Sequence, residues 1–503
     1  MRPVLDPLEK KAPPADPAVI QGGMGVWISW WVLARIVSMM GGLGVVSGTA
    51  LEVVYARLLQ QGDPGGHARR AFAELARRRP ALAEDLQRIL ERYFLEGGKA
   101  PDAPFLPVPV WNLRRVDGEV SGWEPSRELQ VLTIAANFAE VWLAKEGHAG
   151  LVGVNYLRKI ERPLPWAIYG AMLAEADHVI VGAGAPPEIP GLLRRLARHE
   201  AASLPLKVHG AGSEAFSVLA RPRTLVGESE DVLPMPRFLA IVASFGLAQA
   251  LASDPATRPY GFIIEGAGAG GHSAPPGKRS FDAQGRPVLV YTDEDRADVG
   301  AIAGLGLPFW LAGSYASPQA LREAFAAGAR GVQIGTVPAL SGQSGLRADL
   351  RAQILKLVAD GGIEVAADAL VSPTGFPFKI AKVPGTLADA DVYEKRERVC
   401  DLGQLQVAYK TPEGGLGFRC PAEPVEDFVR KGGRAQNTAG RACLCNGLMS
   451  TAGLAQVRAG GYVEPAIVTL GEDLRSVRAL LASLPPGQST YSIGKALRFI
   501  RKD

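Results

Sequence analysis

Short apolar runs recur along this chain, most of them followed by glycine and then by a stretch in which apolar positions return with helical spacing. Ala18–Gln21, Leu43–Ser47, Leu151–Asn155, His178–Gly182, Leu206–His209, Phe262–Glu265, Phe309–Ala312 and Val332–Gly335 each have the length and near-continuous apolar character of a strand buried on both faces. The intervening segments read as helices. In SPQALREAFAAGA, Ser317 can cap, Pro318 sits at the first helical position and Gly328 ends the helix. Eight alternations of strand and helix predict a (β/α)8 TIM barrel rather than an open sheet, with ligands at the carboxyl ends of the strands.

Two stretches break the period. Residues 51–148, after the second strand, carry helical sequence such as HARRAFAELARRRPALAEDLQRILERYFLEGG and then a Pro/Gly-rich passage at 100–123. Placed on the βα side, this large insertion could form a lid or an oligomer surface. A smaller insertion, 213–236, follows the fifth expected strand and precedes the helix-like PRFLAIVASFGLAQALAS. After the eighth strand, 345–359 reads as the closing helix. The expected organisation is a mobile Pro-rich leader at 1–17, a barrel at 18–383 and a C-terminal extension at 384–503 that holds all four cysteines.

Composition narrows the classes. At 503 residues, 47% hydrophobic and 21% charged, the chain can bury a barrel-sized core with substantial additions. The net charge of +4 comes with scattered arginines and no basic stripe, which argues against a nucleic-acid partner. The most apolar window, Gly25–Val46, contains Arg35 and several glycines and reads as a core helix rather than a membrane span. No secretory pattern opens the chain, and so few cysteines make no disulfide framework, so the expected location is cytoplasmic.

Candidate chemistry centres on YGFIIEGAGAGGHS, Tyr260–Ser273. It reads as a buried strand running into glycines, among them Gly270 and Gly271, that let backbone approach a planar ligand and deliver His272 as an acid/base group. Gly266, Gly268 and Gly271 also fit a dinucleotide fingerprint, with Asp293 at a distance suited to a ribose. Pro275 and Pro276, however, oppose the helix that such a fingerprint must open. The seventh and eighth strands end in FWLAGSYASP and GVQIGTVPAL, where barrels place a phosphate site; Gly313, Ser314, Gly335 and Thr336 are its candidates. In VIQGGMG, Gly22, Gly23 and Met24 stand just beyond the first strand, where backbone and a soft side chain could lie against a flat ring.

Taken in order, VIQGGMG, GGLGVVSG, VGVN, EGAGAGGHS, AGS and VQIGT resemble the nitronate monooxygenase (2-nitropropane dioxygenase) family of FMN-dependent barrels, over about residues 18–340 with the insertions set aside. The resemblance implies FMN as cofactor and His272 as the catalytic histidine. It implies that Gly22, Gly23, Met24 and Asn155 line the flavin, that Lys207 contacts it, and that Gly313, Ser314, Gly335 and Thr336 hold its phosphate. The implied partners are a small-molecule substrate and O2, with oxidation of alkyl nitronates to a carbonyl compound and nitrite. The chain also resembles the flavin-type enoyl-acyl carrier protein reductases, which would use NAD(P)H. A third expectation is a flavin-binding subunit without turnover. A homo-oligomer is compatible with all three.

Other polar residues complete the inventory. His209 ends the fifth expected strand and is the runner-up acid/base group; His178 reads as a satisfied structural histidine, and His67 as the start of a helix. Cys400, Cys420, Cys443 and Cys445 cluster in one tail, but one residue between the last two is poor metal-ligand spacing, so buried free thiols are expected and no metal.

Overall fold

Strands with almost every position apolar can hide both faces only if helices cover the outside and the strands' own side chains fill the inside. The computed structural model describes residues 15–283 and 285–502, so residues 1–14 of the expected leader lie outside the described residues. Eight parallel strands close a barrel: β1 (Val19–Gln21), β2 (Leu43–Ser47), β3 (Val152–Leu157), β4 (His178–Gly182), β5 (Arg237–Val242), β6 (Gly261–Glu265), β7 (Phe309–Ala312) and β8 (Gly331–Ile334). Each strand lies beside its sequence neighbours, and β1 closes on β8 with Val19 opposite Val332. Helices alternate with the strands, which makes this a TIM barrel.

Alternation along each strand sorts the core. Ile20, Leu43, Val45, Ile180, Leu239, Ile263 and Trp310 pack together inside the barrel with no solvent exposure. Val152, Val154, Phe262, Ile264, Val332 and Ile334 turn outward into the helix layer. Burying each such side chain contributes about 1.5–3 kcal/mol. The same period of two turns Asn155, Glu265 and Gln333 inward, at the carboxyl ends of β3, β6 and β8.

The fifth strand is not where the sequence placed it. Val208–His209 is a short strand outside the barrel, paired with Val407–Lys410, and the fifth barrel strand is Arg237–Val242. Its apolar run FLAIV passes into the helix Phe245–Ser253 through Ala243 and Ser244 alone, without glycine or proline, so strand and helix merge into one apolar pattern. Ser244 separates them by capping, its side chain accepting from Leu247 N–H. The smaller insertion therefore precedes β5 and begins earlier than 213, with the strands Ala202–Pro205 and Ser217–Ala220.

Two other boundaries move. Within 51–148, the helix Arg127–Lys145 is buried along nearly its whole length against the helices Trp31–Met39 and Leu164–Leu173, and serves as the barrel's own helix between β2 and β3. The expected closing helix forms at Ala348–Ala359 but packs on Arg475–Ala482. The outer position after β8 is taken by Ile493–Ile500, which touches both Trp31–Met39 and Pro318–Ala326, while Arg501 Nη1 donates to Met40 O at 2.6 Å. A boundary at 384 thus does not separate barrel from extension. Among the described residues, no helix is long and apolar enough to cross a membrane.

Candidate functional site

A cavity of about 260 Å³ opens at the carboxyl rim of the barrel, between the strand ends and the C-terminal tail. Gly22, Gly23 and Met24 reach it from β1, Asn155 from β3, Gly270, Gly271 and His272 from the loop after β6, Gly313 and Ser314 from β7, and Gly335 and Thr336 from β8. Lys207 does not. It is exposed beside the short strand Val208–His209, and His209 is exposed there too, both displaced by the relocation of the fifth strand.

The rim after β7 and β8 is rich in unspent donors. Gly313 and Ser314 both adopt positive φ, +87° and +71°, turning the chain sharply at the end of β7. The backbone N–H groups of Ser314, Gly335 and Thr336 have no acceptor among the described residues. Deeper in the cavity, Gln333 Oε1 is buried without a hydrogen-bond partner. A buried amide oxygen is costly unless something binds it, and the half-buried or exposed N–H groups at the rim are free to take an anion. The phosphate of FMN would satisfy the donors, and an N–H on its ring would satisfy the oxygen, so these residues fit that cofactor.

Tail and glycine loop are laced together. Gly471 N–H donates to Thr336 Oγ1 at 2.8 Å, Glu472 N–H to Gly268 O at 3.1 Å and Gly271 N–H to Thr469 Oγ1 at 2.8 Å. A Cβ on Gly270 would stand 2.8 Å from the carbonyl carbon of Leu470, so this glycine is required by the tail's backbone. No helix follows the loop directly, and Asp293 lies in an exposed turn; the dinucleotide fingerprint is not built.

His272 is held by the strand Phe378–Ala381, which pairs with it through Phe378, and by Ser372 Oγ, 2.7 Å from Nε2. Its Nδ1 has no hydrogen-bond partner among the described residues. The edge of Phe378 lies against the ring, centroids 4.8 Å apart. Burial, reinforced by the Lys159 charge, holds its pKa well below the usual imidazole value, so it is neutral at pH 7.

Sequence reasoning missed the charges around it. Glu265 lines the cavity, its pKa pushed up to about 7 by burial, with the charges of Lys379 and Lys159 opposing. Burial pushes Lys159 down to about 7, with Glu265 opposing. Lys379 is wholly enclosed and pairs with Glu472 Oε1 at 2.7 Å. The terminal position of Glu265 on a barrel strand was a usable signal. The lysines lie 106 residues before it and 114 after it, so no local pattern joins them to it.

His178 is buried, but neither ring nitrogen has a partner, contrary to the satisfied histidine expected; burial brings its pKa to about 4. His67 does begin the helix His67–Arg78, its ring 4.9 Å from that of Trp31. All four cysteines are free thiols and only Cys420 is fully buried; Cys445 lines the cavity. Among the described residues, no group of three or more His, Cys, Asp or Glu is placed to hold a metal.

No family model and no curated protein matches the chain. Solved structures do. FabK from Thermotoga maritima is 16% identical over 74% of this chain and 72% of its own, with a TM-score of 0.38. Nitroalkane oxidase from Streptomyces ansochromogenes is 12% identical over 72% and 76%, with a TM-score of 0.38. The enoyl reductase domain of MlnA from Bacillus amyloliquefaciens is 11% identical over 96% and 93%, with a TM-score of 0.47. The barrel assignment itself rests on strand order and register.

Proposed function

We propose that the cavity binds FMN and that the chain is an FMN-dependent oxidoreductase of the nitronate monooxygenase kind. The observation that supports this reading best is the set of unpartnered groups facing one cavity: three backbone N–H donors at the β7–β8 rim and the buried Gln333 Oε1. When bound, FMN would supply the redox chemistry between a nitronate and O2. The chain's part is binding and orientation. Ser314, Gly335 and Thr336 would take the phosphate, and Gly22, Gly23, Met24 and Asn155 would lie along the ring.

His272 is the catalytic residue of this reading. When Ser372 Oγ–H donates to Nε2, the neutral ring carries its hydrogen on Nδ1 and can donate it to a nitronate oxygen. The apolar tail residues Leu405, Leu444 and Leu448 exclude water from one wall.

That apolar wall also supports a second reading, in which an acyl chain lies along the tail and the chain reduces an enoyl thioester with NAD(P)H. One experiment separates them: the flavin spectrum of the purified protein, read aerobically with an alkyl nitronate and anaerobically with NADPH. Nitrite release with nitronate is expected. Bleaching by NADPH together with inertness toward nitronate would favour the reductase, and no reduction by any donor a binding subunit.

A further inference from the structure

We propose that Glu265 moves the proton at the reacting carbon, with Lys159 as the positioning residue that keeps its carboxylate available, while His272 holds the substrate. This deepens the oxidoreductase reading and rests on it. Glu265 is the last residue of β6 and shares the inward face with Ile263, so its carboxyl enters the cavity instead of the helix layer. No side chain among the described residues forms a hydrogen bond or ion pair with that carboxyl. His272, by contrast, has Nε2 committed to Ser372.

Two lysines act on Glu265; Glu472 pairs with one of them, and the charge of the other also reaches His272. Lys379, from the strand Phe378–Ala381, is engaged by Glu472 of the tail at 2.7 Å. His272 follows on the same loop. Lys159, from the loop after β3, has its Nζ enclosed with no hydrogen-bond partner, beside the Phe376 ring at 5.3 Å. Lys159 is therefore the cation that no carboxylate holds, and its charge acts on Glu265 and His272 alike. Burial moves the two possible bases in opposite directions. Glu265 becomes a stronger base than an ordinary carboxylate, titrating at about 7, while His272 becomes a weaker one than an ordinary imidazole. A base poised near working pH is the better proton acceptor.

On a neutral nitroalkane, the Glu265 carboxylate takes the proton from the carbon bearing the nitro group. The C–H bond breaks, its electron pair forms the C=N bond of the nitronate, and the negative charge settles on the nitro oxygens. Glu265 becomes a carboxylic acid and later gives its proton to water in the cavity. No oxidant is consumed in this step.

Two measurements test this. The first needs no turnover: infrared titration of the FMN-loaded protein should show a carboxylic-acid C=O band lost near pH 7, absent in Glu265→Gln. It should shift to higher pH in Lys159→Met, because removing a positive charge favours the protonated acid. The second compares nitroethane with pre-formed ethylnitronate. Glu265→Gln should lose about a hundredfold or more on nitroethane and much less on ethylnitronate, which needs no deprotonation, and Lys159→Met should move the rising limb of the nitroethane pH profile upward. Both variants should keep FMN. A missing band, an unmoved limb or equal losses on the two compounds would overturn the proposal. Wild-type protein inert toward both compounds would overturn the nitronate reading instead, and the infrared titration would still decide the Glu265–Lys159 assignment.

Discussion

Gly335→Val isolates the phosphate cradle from the fold that carries it. Gly335 has φ −121°, outside the left-handed region, so a side chain there costs little backbone strain. The nearest protein atoms to an added Cβ are Cγ and Sδ of Met24, each at 3.9 Å, which is ordinary van der Waals contact. The rest of the valine would enter the cavity, where the phosphate is proposed to sit. Hydrogen bonds to a charged group are each worth about 1.5–3 kcal/mol. Pushing the phosphate off the Gly335 and Thr336 N–H groups should therefore cost about 3–6 kcal/mol, and FMN affinity should fall by about 10²–10⁴-fold. The assay is quenching of FMN fluorescence on titration with apoprotein, with the apoprotein's thermal midpoint as a fold control. Gly44→Val gives the contrast, because a Cβ there would lie 1.9 Å from Ala34 O and should prevent folding outright. A folded Gly335→Val protein with wild-type FMN affinity would refute the cradle.

Cofactor released by heat should run as FMN; FAD would mean a second nucleotide site that the described residues do not display. His272→Ala should retain FMN and lose turnover by about a hundredfold, equally on nitronate and nitroalkane. A greater loss on the nitroalkane would return the proton transfer to His272. His178 has a folded pKa of about 4, below the ordinary 6.5, so the unfolded chain takes up its proton first as the pH falls. The stability it contributes is complete above 6.5 and is lost between 6.5 and about 4, by about 3 kcal/mol in all. Denaturant unfolding of His178→Leu should show a shallower decline across that window, and a parallel decline would count against the assignment.

The parts of the molecule legible in the sequence were those where local pattern and tertiary role coincide. β6 and its glycine loop were readable because a strand buried on both faces looks continuous and the loop after it must turn tightly. β5 was not, because FLAIV runs into a helix with only Ser244 to mark the join, while LKVH has strand composition without a place in the barrel. The error carried Lys207 and His209 into the barrel mouth, whereas they lie at a short outer strand paired with Val407–Lys410. At the site, the glycines and His272 could be found from one stretch of chain. Glu265 could be placed but not interpreted, since its environment is made by Lys159, Lys379 and Glu472, which are brought together only by the fold. Gly270 was identified for an incomplete reason: its missing side chain makes room for Leu470, two hundred residues later in the chain.

The pairing of β1 with β8, and of the helix Trp31–Met39 with Ile493–Ile500, has a consequence in time. Synthesis proceeds at about 5–20 residues per second, so β1 waits tens of seconds for the strand that covers its edge. Its first helix waits longer still, until the segment Ile493–Ile500 has been made. Over that interval the growing sheet has open edges and an uncovered apolar flank, the features that invite aggregation and chaperone capture. The strap at Thr469–Glu472 also arrives late, after the β7–β8 rim is made. A cofactor present during synthesis would therefore meet an open cradle, and one offered to the finished protein would have to pass the tail.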